Sequence, residues 1–586
     1  MRWKKLNHLI KIKEKKIILN NKTLLIVLGV FLLTLAVRPV FSSETKIILS
    51  PINPQFQKYM DLTQSKKVSE MLTTEGQALG LVPSPLDMNH TKGLSIVPEI
   101  ERLFYPSSYD LRELDRLTPV KNQGQCGSCW AFASYGSLES WLLGEEDEIW
   151  DFSENNLKDC HGFDLGGCDG GNRWMSTAYL ARWDGPINEA DDPYKPTEEN
   201  CIPGLPVVKH LETVLMIPER EDFTDNDNIK QVVIDYGAMY TAMHMNPTYY
   251  NSNYHAYYYN GLSSSNHAVA IVGWEDDFDK DKFNTIPPDN GAWIVRNSWG
   301  TGWGDEGYFY VSYYDRNIGK ENVSFINAKK PYDNFSIYQY DSLGCVRNFG
   351  YSANSAWGAN IFTATSGQKL IAVSFYALTV DTSYEIYIYD IFEGSSFSDL
   401  LANKTGTVTS PGYHTIYLDS SVILTSKDDF IVAVKLTTPE YNYPIPIEYP
   451  ELGYSSAAKA NPGESYISSD GANWTDITTV IDPEFPNLNN TNVCIKAMTQ
   501  DVITYPNPFK PLEHNEMIFG GFDGTAHIRI FTLSGELVRE VDVTGEIQWI
   551  WNGKNDTGEN VARGIYLYIV TTPSGYKKIG KIAIIK

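Results

Sequence analysis

Apolar residues change their period along this chain, and each change marks a different kind of element. Within residues 130–142 (WAFASYGSLESWL), Trp130, Ala133, Leu138, Trp141 and Leu142 fall at helical spacing, which predicts a helix with one buried face. From His267 through Gly273 small and β-branched residues follow one another without a break, which predicts a buried strand that begins at the histidine. Further on the period becomes two. Tyr384-Glu385-Ile386-Tyr387-Ile388-Tyr389 alternates strictly, and residues 430–436 read as a second strong strand. Turn residues recur at short intervals across residues 335–497, as expected of a β-sandwich.

Candidate chemistry sits at the start of the predicted helix and of the predicted buried strand. Gln123-Gly124-Gln125-Cys126-Gly127-Ser128-Cys129-Trp130 puts Cys129 at the first turn of the helix, where unsatisfied N–H groups and the positive dipole end favour a thiolate. A thiolate nucleophile needs a base and a group to orient that base. Asn266-His267-Ala268 supplies a histidine about 140 residues downstream, and Arg296-Asn297-Ser298-Trp299-Gly300 supplies an asparagine further on. A surface insertion at residues 276–290 accounts for the extra length between them. Its run Asp276-Asp277-Phe278-Asp279-Lys280-Asp281 lacks the glycine and closing glutamate of a calcium loop and reads as a solvated hairpin tip.

Three motifs in this order resemble the papain-like cysteine peptidases: Cys-Gly-Ser-Cys-Trp, Asn-His-Ala and Asn-Ser-Trp-Gly. The resemblance implies a helical half carrying Cys129 and a β-rich half carrying His267 and Asn297, with the cleft between. It implies a Cys129–His267–Asn297 triad acting through a covalent thioester, Gln123 as oxyanion donor and Trp299 as a shield over the histidine–asparagine bond. It implies disulfides Cys126–Cys168 and Cys160–Cys201. For Cys345 and Cys494, a bridge across the next domain and two buried free thiols stay open as alternatives. Gly170 and Gly171 imply a cleft wall where a substrate backbone pairs in extended form; an ordinary turn needing positive φ is the second reading. Protein or peptide substrates are the expected partners, with no metal and no cofactor. No paired-histidine loop of the exopeptidase relatives is evident, so an endopeptidase is expected.

The rest of the chain fits around this unit. Residues 1–22 carry eight basic side chains, among them Arg2, Lys4 and Lys5, against Glu14, and the apolar run 23–37 follows. That predicts a signal peptide over residues 1–43, with an uncleaved membrane anchor as alternative, and a secreted or cell-surface location. Residues 44–104 are expected to be a prosegment. Its Val82-Pro83-Ser84-Pro85 stretch is too proline-rich for a helix and is expected to lie extended. The helical inhibitory motif of papain propeptides is not recognisable there. The peptidase domain is expected over 105–328. Residues 332–500 resemble the lectin-like β-domain that follows papain-like peptidases in some prokaryotic proteins, which leaves room for a glycan or cell-surface ligand. Residues 502–586, from Tyr505-Pro506-Asn507-Pro508-Phe509 onward, resemble an Ig-like C-terminal domain of hook-capping or sorting type. The expected fold class is therefore multidomain: an α+β papain-like peptidase, an all-β sandwich and a small Ig-like all-β domain. Net charge is −24, which argues against nucleic acid as a partner. A surface-binding protein with a vestigial peptidase is the competing function; the intact triad and Gln123 argue against it.

Overall fold

The computed structural model describes residues 46–64, 72–73, 76–97, 105–331, 335–365 and 368–585, with short breaks at 502, 506, 512–513, 515, 523–524, 547 and 574–576. The predicted signal region lies outside these. Among the described residues no helix is long and apolar enough to cross a membrane.

The helices lie in the first part of the chain: α1 (Pro54–Gln64), α2 (Cys129–Glu146), α3 (Glu154–Cys160), α4 (Arg173–Ala181) and α5 (Asp227–Tyr236). Their ends follow capping chemistry. Ser153 accepts from the Asn156 N–H at the start of α3, and Asn172 accepts from Trp174 and Met175 at the start of α4. Helix α2 departs from the one-faced expectation, because every residue from Cys129 to Leu142 is buried. It is a central helix, packed against α3 and α4 on one side and against strands on the other. Its buried serines and Glu139 are paired rather than solvated. Glu139 accepts from Thr118 Oγ1 at 2.6 Å, Lys121 Nζ at 3.0 Å and the Phe152 N–H at 3.0 Å. Ser140 Oγ donates to Arg116 O at 2.8 Å. A buried polar group costs stability unless it is bonded, so these pairs are what allow Glu139 and Ser140 in a core helix.

The strands that matter below are β1 (Ile48–Leu49), β2 (His210–Ile217), β3 (Met239–Met243), β4 (His267–Glu275), β5 (Ala292–Arg296), β6 (Lys320–Lys329), β7 (Arg347–Gly350) and β8 (Gly412–Leu424). Among the described residues, one 13-stranded sheet contains β8, β2, β6, β3, β4 and β5 as consecutive neighbours. Strand β8 belongs to the all-β region and β2 to the α+β region. They pair antiparallel, with Gly412 opposite Leu215, Tyr413 opposite Val214 and His414 opposite Thr213. The two regions thus share a sheet, which fixes their relative orientation by backbone hydrogen bonds rather than by side chains alone. A second, six-stranded sheet carries the alternating strand Thr382–Glu393 beside Asp429–Thr437. Its inward side chains, Ile386, Ile388, Val432 and Val434, join the main core.

The C-terminal block folds as two sheets, of three and four strands, around its own core of Phe509, Met517, Phe519, Trp551, Val570 and Ile582. The insertion at residues 276–290 is not simply a solvated tip. Phe278 and Phe283 are buried with Tyr258 and Ala292 in a small core of their own, and Asp276 Oδ1 accepts from Lys230 Nζ and Tyr313 OH, each at 2.6 Å.

Candidate active site

Cys129 is the first residue of α2, held there by a loop that is tied on both sides. Cys126 is bonded to Cys168, and Cys160 to Cys201. Gly127 N–H donates to Cys168 O at 3.1 Å, and Ser128 Oγ lies 2.7 Å from Tyr194 OH. Facing the helix end is the start of β4. The Ala268 N–H donates to Cys129 Sγ at 3.3 Å, which sets the sulfur beside His267. His267 Nε2 lies 2.8 Å from Asn297 Oδ1, and the same oxygen accepts from the Ser298 N–H at 2.8 Å. Asn297 Oδ1 can only accept, so Nε2 carries the proton and Nδ1 is left as the basic nitrogen. Nδ1 is buried with no hydrogen-bond partner. The Trp299 ring lies 4.9 Å from the His267 ring, tilted by 28°.

Gln123 is fully buried. Its Oε1 accepts from Ser298 Oγ at 2.5 Å, and its Nε2 donates to Cys126 O at 2.8 Å and reaches Leu79 O at 3.4 Å. Leu79 belongs to the segment ahead of the peptidase domain, and this segment fills the cleft. Trp299 Nε1 donates to Ala78 O at 3.0 Å. The Gly80 and Leu81 N–H groups donate to Asn266 O at 3.3 and 3.2 Å. Gly171 N–H donates to Gly80 O, and the Val82 N–H to Gly171 O, each at 2.9 Å, so Leu81 and Gly171 form a parallel bridge. The proline-rich stretch at residues 82–85 forms no helix, bends at Pro85 and is largely buried.

Gly170 and Gly171 are constrained in different ways. Gly170 has φ +98, a turn conformation. Gly171 has no room for a side chain, because a Cβ there would meet the Trp130 ring at 2.4 Å. Gly80 approaches as closely from the other side: a Cβ on it would lie 2.3 Å from Gly127 O.

Covered in this way, the site is dry. Burial pushes the Cys129 thiol up to about 12, against a smaller opposing pull from the backbone N–H groups of Ala268, Trp130 and Cys129 itself. Burial also pushes the His267 imidazole down to about 4, with the Asn297 bond opposing. Both shifts favour a neutral thiol and a neutral imidazole beneath the cover.

Two participants had no signal of their own in the sequence. Asn266 offers its carbonyl to the covering segment while its side chain brackets Met245, with Oδ1 accepting from the Met245 N–H at 2.7 Å and Nδ2 donating to its carbonyl at 3.1 Å. Ser298 orients the Gln123 amide. Adjacency to His267 and Asn297 was the only available hint for either. Cys345 and Cys494 are buried free thiols, not a bridge. Cys345 Sγ instead donates towards Arg347 O and Asn348 Oδ1, at 3.6 and 3.5 Å. Among the described residues no cluster of His, Cys, Asp and Glu could hold a metal ion.

This fold and site define a papain-type cysteine peptidase domain, and the comparisons agree. Residues 105–327 match the papain family cysteine protease, and residues 337–499 match the lectin like domain. The chain thus joins a papain-family peptidase domain to an all-β lectin-like domain. A viral cathepsin of Heliothis zea nuclear polyhedrosis virus is 32% identical over 209 residues, covering 35% of this chain and 52% of that protein. Procathepsin L of Mus musculus is 34% identical over 233 residues, covering 38% and 65%. The chain therefore spans between about half and two thirds of the length of these relatives. The crystal structure of the cysteine protease and lectin-like domains of Cwp84, a surface layer associated protein of Clostridium difficile, matches with TM-score 0.65 at 25% identity, over 78% of this chain and 98% of that one.

Proposed function

We propose that this chain is an exported cysteine endopeptidase made as a latent precursor, with residues 44–104 as its prosegment. The observation that carries the reading is the His267 Nε2–Asn297 Oδ1 bond at 2.8 Å, which leaves Nδ1 basic and buried beside a cysteine at a helix N-terminus. Once the cleft is open, water and the helix end favour the thiolate–imidazolium pair. The Cys129 thiolate attacks the substrate carbonyl carbon. The oxyanion that forms takes hydrogen bonds from Gln123 Nε2 and the Cys129 N–H. The tetrahedral intermediate collapses as His267 gives its proton to the leaving amine, and a thioester remains. His267 then takes a proton from water, and the resulting attack releases the carboxylate and regenerates Cys129. Asn297 holds the imidazole in one tautomer throughout, beneath Trp299.

The cover over the cleft supports the latent form. Residues 78–82 pass Trp299, Gln123 and Gly171 in turn, where a substrate backbone would lie. The pro-form named for the mouse relative agrees with such a precursor. The two disulfides fit an oxidising compartment, and the surface-layer association of Cwp84 fits a location outside the cell. Protein or peptide substrates are the partners this chemistry takes.

Labelling with an epoxide inhibitor of cysteine peptidases tests the reading. Mass mapping of the processed chain is expected to find label on Cys129 alone, with none in Cys129→Ala, and loss of residues up to about 104 in the wild type only. A folded, processed chain whose Cys129 stays unlabelled would favour the surface-binding alternative.

A further inference from the structure

The cleft accounts for only part of what holds the leading segment. We propose that the lectin-like domain is a receptor for this segment: the edge of β7, with the rings of Tyr441 and Tyr454, forms a seat that binds residues 48–60 and His90 independently of the cleft. This goes beyond latency by cleft blocking, which needs only residues 78–82.

The seat begins as strand addition. Strand β1 pairs antiparallel with β7, Ile48 opposite Gly350 and Leu49 opposite Phe349. Beyond the strand, the Ser50 N–H donates to Asn348 O at 2.9 Å, and Arg347 Nη2 donates to Ser50 O at 3.0 Å. The sheet order is β1, β7, Ile445–Glu448, Asn492–Val493, so removing β1 leaves β7 as a bare edge. A bare edge has a row of unpaired backbone groups that an extended segment satisfies. Here the occupant is the chain's own leading segment, which also fills the space beside the edge with side chains.

Phe56 of α1 is 1% exposed and meets the Tyr454 ring edge-on at 5.4 Å. Met60 lies over Gly453, where an added Cβ would come within 2.6 Å of its Cε. Further along, the His90 ring stacks on Tyr441 at 3.8 Å and 9°, and its Nε2 lies 2.7 Å from Leu378 O. The seat also reaches the cleft wall. Tyr454 OH donates to Asn172 Oδ1 at 3.2 Å, and Asn172 follows Gly171. A segment gripped at β7 is thereby delivered to the cleft in register. The Asn53 N–H donates to Pro85 O at 2.9 Å and Asn53 Nδ2 to Ser84 O at 3.0 Å, binding its two ends to each other.

A full-length chain carrying Cys129→Ala and a site for a sequence-specific protease at residues 99–104 tests this. After cutting, the leading segment is expected to co-elute with the remainder on size exclusion. With Ser50→Pro, which deletes the donor to Asn348 O, and Phe56→Ala together, it is expected to dissociate at least about tenfold faster. Equal retention or equal loss in the two chains would overturn the proposal, because the cleft alone would then decide. A synthetic peptide of residues 46–64 contains none of the cleft-contacting residues 78–82. Added to the cut chain freed of its segment, it is expected to bind, and to bind at least about tenfold more weakly when it carries both substitutions. No binding of the unsubstituted peptide would overturn the seat, whatever the outcome of the epoxide labelling.

Discussion

The leading segment is held at two places by two kinds of contact. In the cleft, the hydrogen bonds of residues 78–82 all use backbone atoms, Ala78 O, Leu79 O, Gly80 N and O, Leu81 N and Val82 N, while the side chains of Leu79, Leu81 and Val82 are buried beside them. At the lectin-like domain, backbone pairing by β1 is joined by side chains, with Phe56 against Tyr454 and His90 against Tyr441. The difference follows from what each place must do. A peptidase cleft accepts many sequences, so it grips the one feature they share. Backbone pairing gives affinity with little sequence discrimination, whereas pockets for side chains give identity. The cleft's hydrogen bonds therefore do not tell this segment from a substrate, and the proposed seat adds further side-chain discrimination.

Chemistry separates the two places most sharply. Gln123→Ala removes the donor proposed for the oxyanion and is expected to lower kcat about 10²–10³-fold in the processed enzyme. It should leave the seat untouched, since the Gln123 side chain bonds to Ser298, Cys126 and the cleft stretch of the segment. Steady-state hydrolysis of a fluorogenic peptide, beside binding of the 46–64 peptide, checks both halves. A parallel loss in peptide binding would mean that the two places are not separable.

Acid should loosen the cleft end. Burial lowers the His267 pKa to about 4, and the cover contributes to that burial, so protonation favours the uncovered state. The sign follows from linkage: the cover's full hold on this account is present above pH 6.5 and is lost as pH falls towards 4. In a Cys129→Ala chain, hydrogen exchange at the Leu81 and Val82 amides is expected to quicken on acidification beyond the same measurement in Cys129→Ala/His267→Gln. Identical pH profiles in the two chains would remove His267 from the linkage.

How much of this was legible in the sequence depends on what carried each feature. Cys129, His267 and Asn297 each sit in a short motif at the edge of a periodic element, so both the residue and its helix or strand could be read. Glycine at 171 was also legible, though the reason for it, the Trp130 ring beneath, was not. The seat was invisible. Strand β1 is two residues long and has no period to read, and His90 reaches Leu378 across 288 positions. The shared sheet through β2 and β8 was hidden for a similar reason: an alternating strand announces its faces but not its neighbour across a domain boundary. Helix α2 misled in the opposite direction. Its serines and Glu139 imply a wet face, and partners distant in sequence, among them Arg116, Thr118, Lys121, Phe152, Ser176 and Phe325, explain why they are buried.

Steric fit gives the next smaller effect. Gly80→Val would drive a Cβ against the Gly127 carbonyl at a φ of +152. Overpacking of this kind costs about 2 kcal/mol, about thirtyfold in the covered–uncovered equilibrium. Alkylation of Cys129 by iodoacetamide in the full-length chain should rise by that factor, while co-elution of the cut segment persists through the seat. A rise accompanied by complete loss of the segment would show the cleft to be the stronger grip.

The smallest expected effect is also the most discriminating, because it removes one bond from a residue with two duties. Trp299 stacks on His267 and donates Nε1–H to Ala78 O. Trp299→Phe keeps an aromatic face over the imidazole and deletes the donor. A neutral hydrogen bond contributes about 1 kcal/mol net, so alkylation of the covered Cys129 should quicken about fivefold. Turnover by the processed enzyme should change less, because substrate does not depend on the bond to Ala78. If turnover falls more than the cover loosens, the indole serves the histidine rather than the segment, and the cleft's hydrogen bonds to the segment rest on Gly171, Asn266 and Gln123.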